Sequence, residues 1–405
     1  MATIKKPIGI DTLQAARDRV RYVFDHFEAV YISFSAGKDS SVMMHLVMEE
    51  AMRRKRKVGV LLIDLEAQYE LTIRHAEQMF DMYSEHIELY WVCLPLKLRN
   101  AVSNFEPVWC AWDPERKADW VRELPNRPGV ISDSAYFDFF EPRMEFEEFI
   151  ELFAVWYSKG RSTAAFIGIR ADESLNRFRT VAIWDKQTHF GKRWTTQVVD
   201  GVFNVYPIYD WNVKDIWRYH AKYPAKPHNE VYDRMHLAGL SLSQMRLCQP
   251  YGDDQRRGLW LYHLIEPKTW SRVVARVNGV NSGALYIEEH GNVNGYSRIT
   301  LPPGHTWKSF CNLLLSTMPE ITRNHYADRF NSWLVGWHKR GYRNGIPDEA
   351  PRELEKKYWA PSWRRMCKVL LRNDWWCKGL GMTQPKSEAY SKYLSIKRER
   401  KAYGN

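Results

Sequence analysis

The chain has 405 residues, enough for two or three domains, and 45% of them are apolar and 26% charged. These values exclude a disordered tail protein, a collagen-like fibre and a small disulfide-stapled domain. Lys and Arg outnumber Asp and Glu by 59 to 48, so polyanions are natural partners unless the excess serves only solubility. No run of about 18 apolar residues indicates a membrane span.

The cysteines indicate the compartment. All six are scattered, with no C-x-x-C and no paired Cys/His spacing. This pattern predicts neither a disulfide framework nor a zinc site nor an iron–sulfur cluster. A reducing, cytoplasmic location fits it best.

The first part of the chain alternates between runs typical of strands and segments typical of helices. Apolar side chains at three- and four-residue spacing predict a helix over 11–28 with Asp11 as its N-cap. Strands are predicted at 29–34, 58–65, 87–94 and 164–169, and further helices after residue 40, at 70–83, at 145–157 and from 215. The alternation predicts an α/β fold with a doubly wound, mostly parallel, Rossmann-like sheet and a ligand site beyond the carboxyl ends of its strands.

Two regions depart from this alternation. Residues 95–140 are rich in Trp, Pro and Asp and are predicted to form a long insertion over the end of the third strand. Beyond about residue 240 the alternation fades into helical segments, with a Gly/Asn-rich stretch at 278–298 that is predicted as a hairpin. We therefore predict a nucleotide-binding domain over 1–240 and a mainly helical, basic, Trp-rich domain over 241–405.

The clearest chemical signal is a strand–turn–helix unit at 29–47. Unpaired N–H groups and the helix dipole favour an anion at such a helix start, and Gly37 allows close backbone approach. Lys38 adds a charge for phosphate oxygens, and Asp39 could hold a Mg²⁺ that bridges phosphates. The unit is not a Walker A loop, because Ile32 stands where that motif needs glycine and Asp39 where it needs Ser or Thr.

The string S-x-G-K-D-S after a strand resembles the PP-loop of the adenine nucleotide α-hydrolase superfamily. The resemblance implies a site for the pyrophosphate part of ATP, and many of these enzymes cleave the α–β phosphate bond. The alternative is an ordinary helix start with an incidental Gly and Lys. On the resemblance, phosphates are held by Ser35, Ala36, Gly37, Lys38, Asp39 and Ser40.

Two further segments resemble the phosphoadenosine-phosphosulfate reductase branch of that superfamily. They are FIGIRADES at 166–174 and VYPIYDWNVKDIW at 205–217. The first implies that Gly168 and Arg170 contact the nucleotide, with Glu173 orienting the arginine, although an Arg–Glu surface pair is the alternative. Lys38, Arg170 and Glu173 are the implied catalytic residues.

Other implied roles are open between chemistry and architecture. Asp64, after the second strand, either contacts adenosine or a metal or caps the next helix. Ala36 replaces the commoner glycine and is tolerable if its φ is negative. Asp210 and Asp215 are expected to be structural, Asp215 as a helix cap.

The layout, a reductase-like domain with a C-terminal extension, resembles the subgroup of the immunoglobulin-binding regulator A protein. The segments at 64–69 and 244–248 fit that subgroup. The reductive nucleophile motif E-C-G-(I/L)-H is absent from this chain. Cys248, with Arg246 nearby to lower its pKa, is the remaining candidate thiol, against the alternative of an inert cysteine.

The basic excess concentrates at the C-terminus, where the last 55 residues hold 14 Lys/Arg against 5 Asp/Glu. Interleaved with these charges are Trp359, Trp363, Trp375, Trp376 and Tyr393. This composition indicates either nucleic acid binding, or contact with an acidic protein, or a helical cap with a Trp core and a basic surface.

Three functions follow. The first is an enzyme that binds ATP or a related adenylyl nucleotide with Mg²⁺, cleaves the α–β bond and adenylates an unknown acceptor with release of pyrophosphate. The second is a nucleotide-sensing regulatory module whose basic extension acts on nucleic acid or an acidic protein. The third is sulfonucleotide reduction by Cys248.

Overall fold

A computed structural model describes residues 9–103, 105–182, 186–252, 259–277, 280 and 299–383. The hairpin predicted at 278–298 and the basic residues beyond 383 lie outside this range. The described residues fall into two compact units, which are treated separately below. The first comprises Met1–Lys97, Cys110–Gln249 and Leu261–Arg272, and the second Leu98–Trp109, Pro250–Trp260 and Val273–Asn405. Short segments on either side of the predicted division at residue 240 thus join the opposite unit.

A seven-stranded sheet forms the centre of the first unit. The strands of the chain are β1 (Ala29–Ser33), β2 (Val58–Ile63), β3 (Ile87–Val92), β4 (Lys97–Arg99), β5 (Val108–Cys110), β6 (Val130–Ile131), β7 (Thr163–Ile167), β8 (Thr195–Val199) and β9 (Val202–Val205). The order in the main sheet is β6-β3-β2-β1-β7-β9-β8, and every pairing is parallel except β8 with β9. The predicted doubly wound, mostly parallel sheet is confirmed.

Helices connect these strands and make up most of the regular structure beyond them. They are α1 (Thr12–His26), α2 (Lys38–Arg54), α3 (Glu70–Met82), α4 (Phe146–Ser158), α5 (Leu175–Ala182), α6 (Val213–Lys222), α7 (Val231–Leu237), α8 (Leu259–Ile265), α9 (Pro267–Arg276), α10 (Trp307–Thr317), α11 (Glu320–Lys339), α12 (Arg352–Lys356) and α13 (Trp363–Leu371). Asp11 caps α1 as predicted, accepting the Gln14 N–H at 2.7 Å. None of the described helices is long and apolar enough to cross a membrane.

The second unit has its own apolar core, which uses most of the C-terminal tryptophans. Trp375 is buried, and Trp363 and Trp376 pack against the same cluster. The cluster's buried members include Trp307, Cys311, Tyr326, Phe330, Trp333, Trp337, Met366, Cys367, Val369, Leu370, Cys377 and Leu380. Trp359 is different, since 65% of its surface is exposed. The helical-cap alternative therefore accounts for three of these tryptophans but not for Trp359.

The segment at 205–217 ties the first unit together. The buried Arg19 of α1 donates to both carboxylate oxygens of Asp210, at 2.8 and 2.6 Å, and to the Pro207 carbonyl at 2.7 Å. Asn212 caps α6, and Asp215 sits one turn into the helix and completes the capping box. Asp210 is therefore structural as expected, whereas Asp215 supports the cap rather than providing it.

We predict that Asp210→Asn lowers the free energy of unfolding by about 2 kcal/mol, because it leaves the buried Arg19 cation without its counter-charge. Urea denaturation with an unchanged m-value would measure the loss. Asp18→Asn is the control, since Asp18 pairs with Arg21 at a site where both side chains are 48% exposed. An equal effect of the two substitutions would contradict the prediction.

Candidate functional site

The predicted anion site lies where β1 ends and α2 begins. Gly37 is the N-cap of α2, and no side chain among the described residues caps this helix start. The Lys38 N–H donates to the Tyr232 hydroxyl at 3.1 Å. A helix start without an N-cap side chain, with the positive end of its dipole, is the feature that favours an anion.

The loop backbone adopts a conformation that the sequence did not predict. Ala36 has a φ of +54°, in the left-handed region, so the condition under which alanine would be readily tolerated here, a negative φ, is not met. The Ala36 carbonyl accepts a hydrogen bond at 3.0 Å from Asn229, which is fully buried and also contacts Thr72 at 3.1 Å. Asn229 thus holds the loop in place. Its position in a loop far along the chain gave no sequence signal for this role.

One carboxylate, that of Asp39, joins the two cations of the site. Lys38 Nζ lies 3.2 Å from one Asp39 oxygen, and Arg170 Nε donates to the other at 2.5 Å. The predicted phosphate-binding cations are therefore brought together, and both contact the residue predicted to hold Mg²⁺, whose single negative charge offsets one of the two. Glu173 instead pairs with Arg177 at 3.6 Å, so Asp39 and not Glu173 orients Arg170.

Arg170 retains a feature that suits an anion. It is buried, and its Nη1 makes no hydrogen bond among the described residues, although an Asp172 oxygen lies 3.8 Å away. Lys38 Nζ, by contrast, also donates to the Met245 carbonyl at 3.1 Å and lies 5.2 Å from the ring centroid of Tyr232. A buried donor without a hydrogen bond is costly, so a ligand oxygen at Arg170 Nη1 would be favourable.

Gly168 allows the end of β7 to pass directly against the start of α2. A Cβ at this position would lie 3.0 Å from Ser40 Cα and 3.1 Å from Ser40 N. This clearance is too small for a real side chain without a backbone shift. The glycine of the 166–174 motif is thus explained by close approach to the loop.

Asp64 has a different environment from the one predicted. It is fully buried, and its oxygens accept from the Glu66 N–H at 2.9 Å, Trp91 Nε1 at 2.9 Å and Arg122 Nη2 at 2.5 Å. Helix α3 is capped at Tyr69, so Asp64 does not cap it. Enclosed by three protein donors, the carboxylate holds Arg122 of the insertion.

Glu66 anchors the insertion in the same way. This fully buried residue accepts hydrogen bonds from the backbone N–H groups of Trp112 at 2.7 Å and Val121 at 3.1 Å. Arg122 Nε in turn donates to the Glu66 carbonyl at 2.8 Å. The part of the insertion in the first unit is therefore fixed to the end of β2. Sequence reasoning missed this role of Glu66 and Arg122.

A cavity of about 180 Å³ opens beside the loop, along the ends of β1 and β2. Ser35 lines it, as do Tyr69 and Tyr262, whose rings stack at 3.8 Å. The half-buried Cys248 also lines it, while Arg246 donates to the Glu173 carbonyl at 2.7 Å. The loop, a pair of stacked tyrosines and a thiol thus line one cavity.

A buried serine–histidine pair supports the first turn of α2. Ser41 Oγ donates to the Gly37 carbonyl at 2.9 Å and lies 2.7 Å from His75 Nε2. Burial lowers the pKa of His75 to about 3. The imidazole is therefore neutral at physiological pH.

No cluster of three His, Cys, Asp or Glu side chains suitable for a metal occurs in the part of the chain that the structure describes.

Comparisons with known proteins identify families and a relative that match the chain. The family model of the phosphoadenosine phosphosulfate reductase domain matches residues 29–239, and a domain of unknown function, DUF3440, matches 239–360. The chain is 41% identical to the uncharacterized protein YbdN of Escherichia coli strain K12 over 408 residues, which cover 100% of this chain and 98% of that protein.

Solved structures with detectable similarity are more distant. Phosphoadenylyl-sulfate reductase of Candida auris is 13% identical and covers 54% of this chain and 83% of its own, with a TM-score of 0.31. FMN adenylyltransferase of Candida glabrata in complex with ATP is 14% identical and covers 55% and 57%, with a TM-score of 0.32.

We predict that Ala36→Gly raises the free energy of unfolding by about 1 kcal/mol, since glycine relieves the left-handed strain. Ala51→Gly inside α2 is the control and should lower it by about 1 kcal/mol or more, because there glycine loosens a helix and removes a buried methyl group. Thermal and urea unfolding would measure both. A loss of stability in Ala36→Gly as large as in the control would refute the account of the loop.

We also predict that stability falls on acidification below about pH 6.5, the ordinary histidine pKa. The folded-state pKa of His75 is depressed, so the unfolded chain binds the proton first, and about 1 kcal/mol is lost between pH 6 and pH 5. Burial also lowers the pKa of His45 to about 3 and of His220 to about 4, which adds in the same direction. Unfolding at stepped pH should show a shallower slope for His75→Gln, and an identical slope would contradict this.

Proposed function

Because the chain belongs to the phosphoadenosine phosphosulfate reductase domain family, we propose that it binds ATP or a related adenylyl nucleotide and cleaves the bond between the α- and β-phosphates. The observation that carries the proposal is the convergence of Lys38 and Arg170 on an uncapped helix start. Donors fixed before the ligand arrives stabilise phosphate charge without reorganisation. The roles of Ser35, Ala36, Gly37 and Ser40 rest on their place in the same loop.

Asp39 gives this site a way to exchange charges. Incoming phosphate oxygens would take over Lys38 and Arg170, which releases the Asp39 carboxylate from its ion pairs. A single carboxylate together with phosphate oxygens is a donor set that Mg²⁺ accepts. When bound, Mg²⁺ would offset charge on the departing pyrophosphate. The site is thereby matched to a nucleotide that carries its cation with it.

The proposed reaction is adenylyl transfer. A nucleophilic atom of the acceptor forms a bond to the α-phosphorus, the bond from that phosphorus to the bridging oxygen breaks, and pyrophosphate leaves with the electron pair. Lys38 and Arg170 stabilise the oxygens on which charge develops. The cavity beside the loop offers room for part of the nucleotide or the acceptor, with the buried, mutually stacked Tyr69 and Tyr262 in its wall.

Sulfonucleotide reduction is a further candidate because Cys248 lines the same cavity. The thiolate would attack the sulfur and displace the nucleotide, and an external thiol reductant would then release sulfite from the resulting adduct. Sulfite release that depends on adenylylsulfate and a thiol, and that is lost in Cys248→Ala, would favour it over adenylyl transfer.

A regulatory role is the remaining candidate, in which the first unit senses a nucleotide and the C-terminal segment engages a polyanionic partner. The cations of that segment support it. Deleting residues 351–405 would not test it cleanly, because Met366, Cys367 and Leu370 belong to the core of the second unit. Charge substitutions on the surface leave that core intact.

We predict that Lys38→Ala weakens ATP binding at least tenfold and abolishes pyrophosphate release, because a buried counter-charge for the phosphates is lost. Calorimetry with Mg²⁺-ATP and analysis of AMP, ADP and pyrophosphate would measure both effects. Lys214→Ala, at an exposed site of the same unit, is the control. Unchanged affinity and pyrophosphate release in Lys38→Ala would refute the proposed enzyme.

Asp39→Asn gives a second, sharper readout. Without the competing carboxylate, Mg²⁺-free nucleotide should bind more tightly than to the natural protein, while the gain in affinity on adding Mg²⁺ should shrink. Weaker binding of the metal-free nucleotide would contradict the charge exchange.

A further inference from the structure

The second unit contains an open cleft of about 260 Å³ with an unusual lining. We call it the basic cleft. Its cationic members are Arg352, Lys356, Arg365, Lys368 and Arg372, and its other members are Glu355, Tyr358, Val369, Asp374 and Gly379. Five cations against two carboxylates make it the natural place to look for an anionic ligand.

The two carboxylates of the basic cleft are occupied by donors of the protein. Glu355 is buried and accepts from Ser362 Oγ at 2.5 Å and from Arg364 Nη2 at 3.1 Å. Asp374 accepts from the backbone N–H groups of Lys378 at 3.0 Å and Gly379 at 2.6 Å. Both carboxylates thus already accept hydrogen bonds inside the unit, and the net charge of the cleft lining is positive.

The cations crowd one another. Burial lowers the pKa of the Lys368 ammonium, and Arg364, Arg372 and Arg352 lower it further, while Glu355, 3.9 Å away, opposes them. Arg352 and Arg372 are exposed. A ligand anion would relieve this repulsion, so the cleft is better matched to a charged group than to water.

Aromatic rings lie next to these cations. Tyr358 has a φ of +61°, and its ring packs between the Arg365 guanidinium, 4.9 Å from the ring centroid, and Gly381. A Cβ at Gly381 would lie 3.2 Å from that ring. The following residue, Trp359, is 65% exposed, with Lys357 Nζ 4.7 Å from its ring centroid. An exposed tryptophan leaves a large apolar ring in water, and this one directly follows Tyr358 of the cleft lining in the chain.

We propose that the basic cleft binds single-stranded nucleic acid, with its cations on backbone phosphates and a base stacked on Trp359. Cations that follow a backbone together with an exposed ring for a base are the recognition elements of single-strand binding. A duplex offers no unstacked base face, and an acidic peptide needs no ring. This inference deepens the polyanionic partner proposed above and is independent of the chemistry at the nucleotide loop.

Fluorescence anisotropy of the full chain with a short labelled oligothymidylate, over a series of salt concentrations, tests the inference. We expect the triple variant Arg352→Gln, Lys356→Gln, Arg372→Gln to bind about tenfold more weakly and the salt slope to become shallower by about two. The control triple Lys308→Gln, Lys339→Gln, Arg343→Gln removes the same charge from exposed sites of the same unit that do not line the cleft.

The stacking contact has its own readout. Trp359→Ala should weaken binding about tenfold while the salt slope stays unchanged, since a stacked base carries no counterion. Ile321→Ala, at an exposed apolar site of the second unit, should have no effect. Circular dichroism and thermal unfolding of each variant separate loss of binding from loss of fold.

Each remaining outcome overturns a distinct claim. Equal weakening by the cleft and control triples would leave a polyanionic partner but remove the cleft as its site. Tighter binding of duplex than of single strands would exclude single-stranded nucleic acid as the ligand. So would oligoglutamate that binds as tightly as the oligothymidylate and whose affinity is unchanged by Trp359→Ala. No binding of any polyanion by the natural chain would overturn both the inference and the regulatory candidate, without touching the test of Lys38.

Discussion

The arrangement of cations at the loop of residues 35–40, the nucleotide loop, depends on a single carboxylate. Asp39 holds Lys38 at 3.2 Å and Arg170 at 2.5 Å, so two cations that would repel each other are kept at one helix start. Burial makes this arrangement demanding, because each charge needs a partner once water is removed. The neighbouring contacts have the same purpose. Asn229 fixes the Ala36 carbonyl, and the missing side chain of Gly168 leaves room for the helix start.

The sheet explains why residues so far apart in sequence meet here. β1 lies between β2 and β7, parallel to both, and Ser33 is in register with Ile167. The segments that follow these strands must therefore emerge side by side at the carboxyl edge. Asp39 and Arg170 each lie a few residues beyond such a strand end. Their ion pair follows from strand order, and no local pattern in either segment encodes it.

This difference separates what the sequence could predict from what it could not. Apolar runs and turn residues were sufficient for the main parallel strands, the cap at Asp11 and the loop at 35–40, because those signals are local. The sequence suggested Glu173 as the carboxylate that orients Arg170, because the two are close in the sequence. In the structure that carboxylate is Asp39, which is distant in the sequence but close in space. Asp64 shows the same limit, because its Arg122 partner lies in an insertion without periodicity. Ala36 shows another limit, since its left-handed φ is not a preference of alanine and its carbonyl is held by Asn229, which is far away in the sequence.

The partners of the charged side chains also determine how the positive net charge of the chain bears on ligand binding. In the loop at 35–40, Asp39 offsets only one of the two charges of Lys38 and Arg170, but both cations are buried and paired with it, so a ligand reaches them chiefly by exchanging partners. In the basic cleft, Glu355 and Asp374 are held by internal donors and Lys356 pairs with Glu353 at 3.0 Å, yet the five cations of the lining still outnumber its two carboxylates. An uncompensated field steers a polyanion from a distance, whereas a compensated one selects a ligand at contact. The chain therefore carries two kinds of anion site, and its positive net charge bears mainly on the basic cleft.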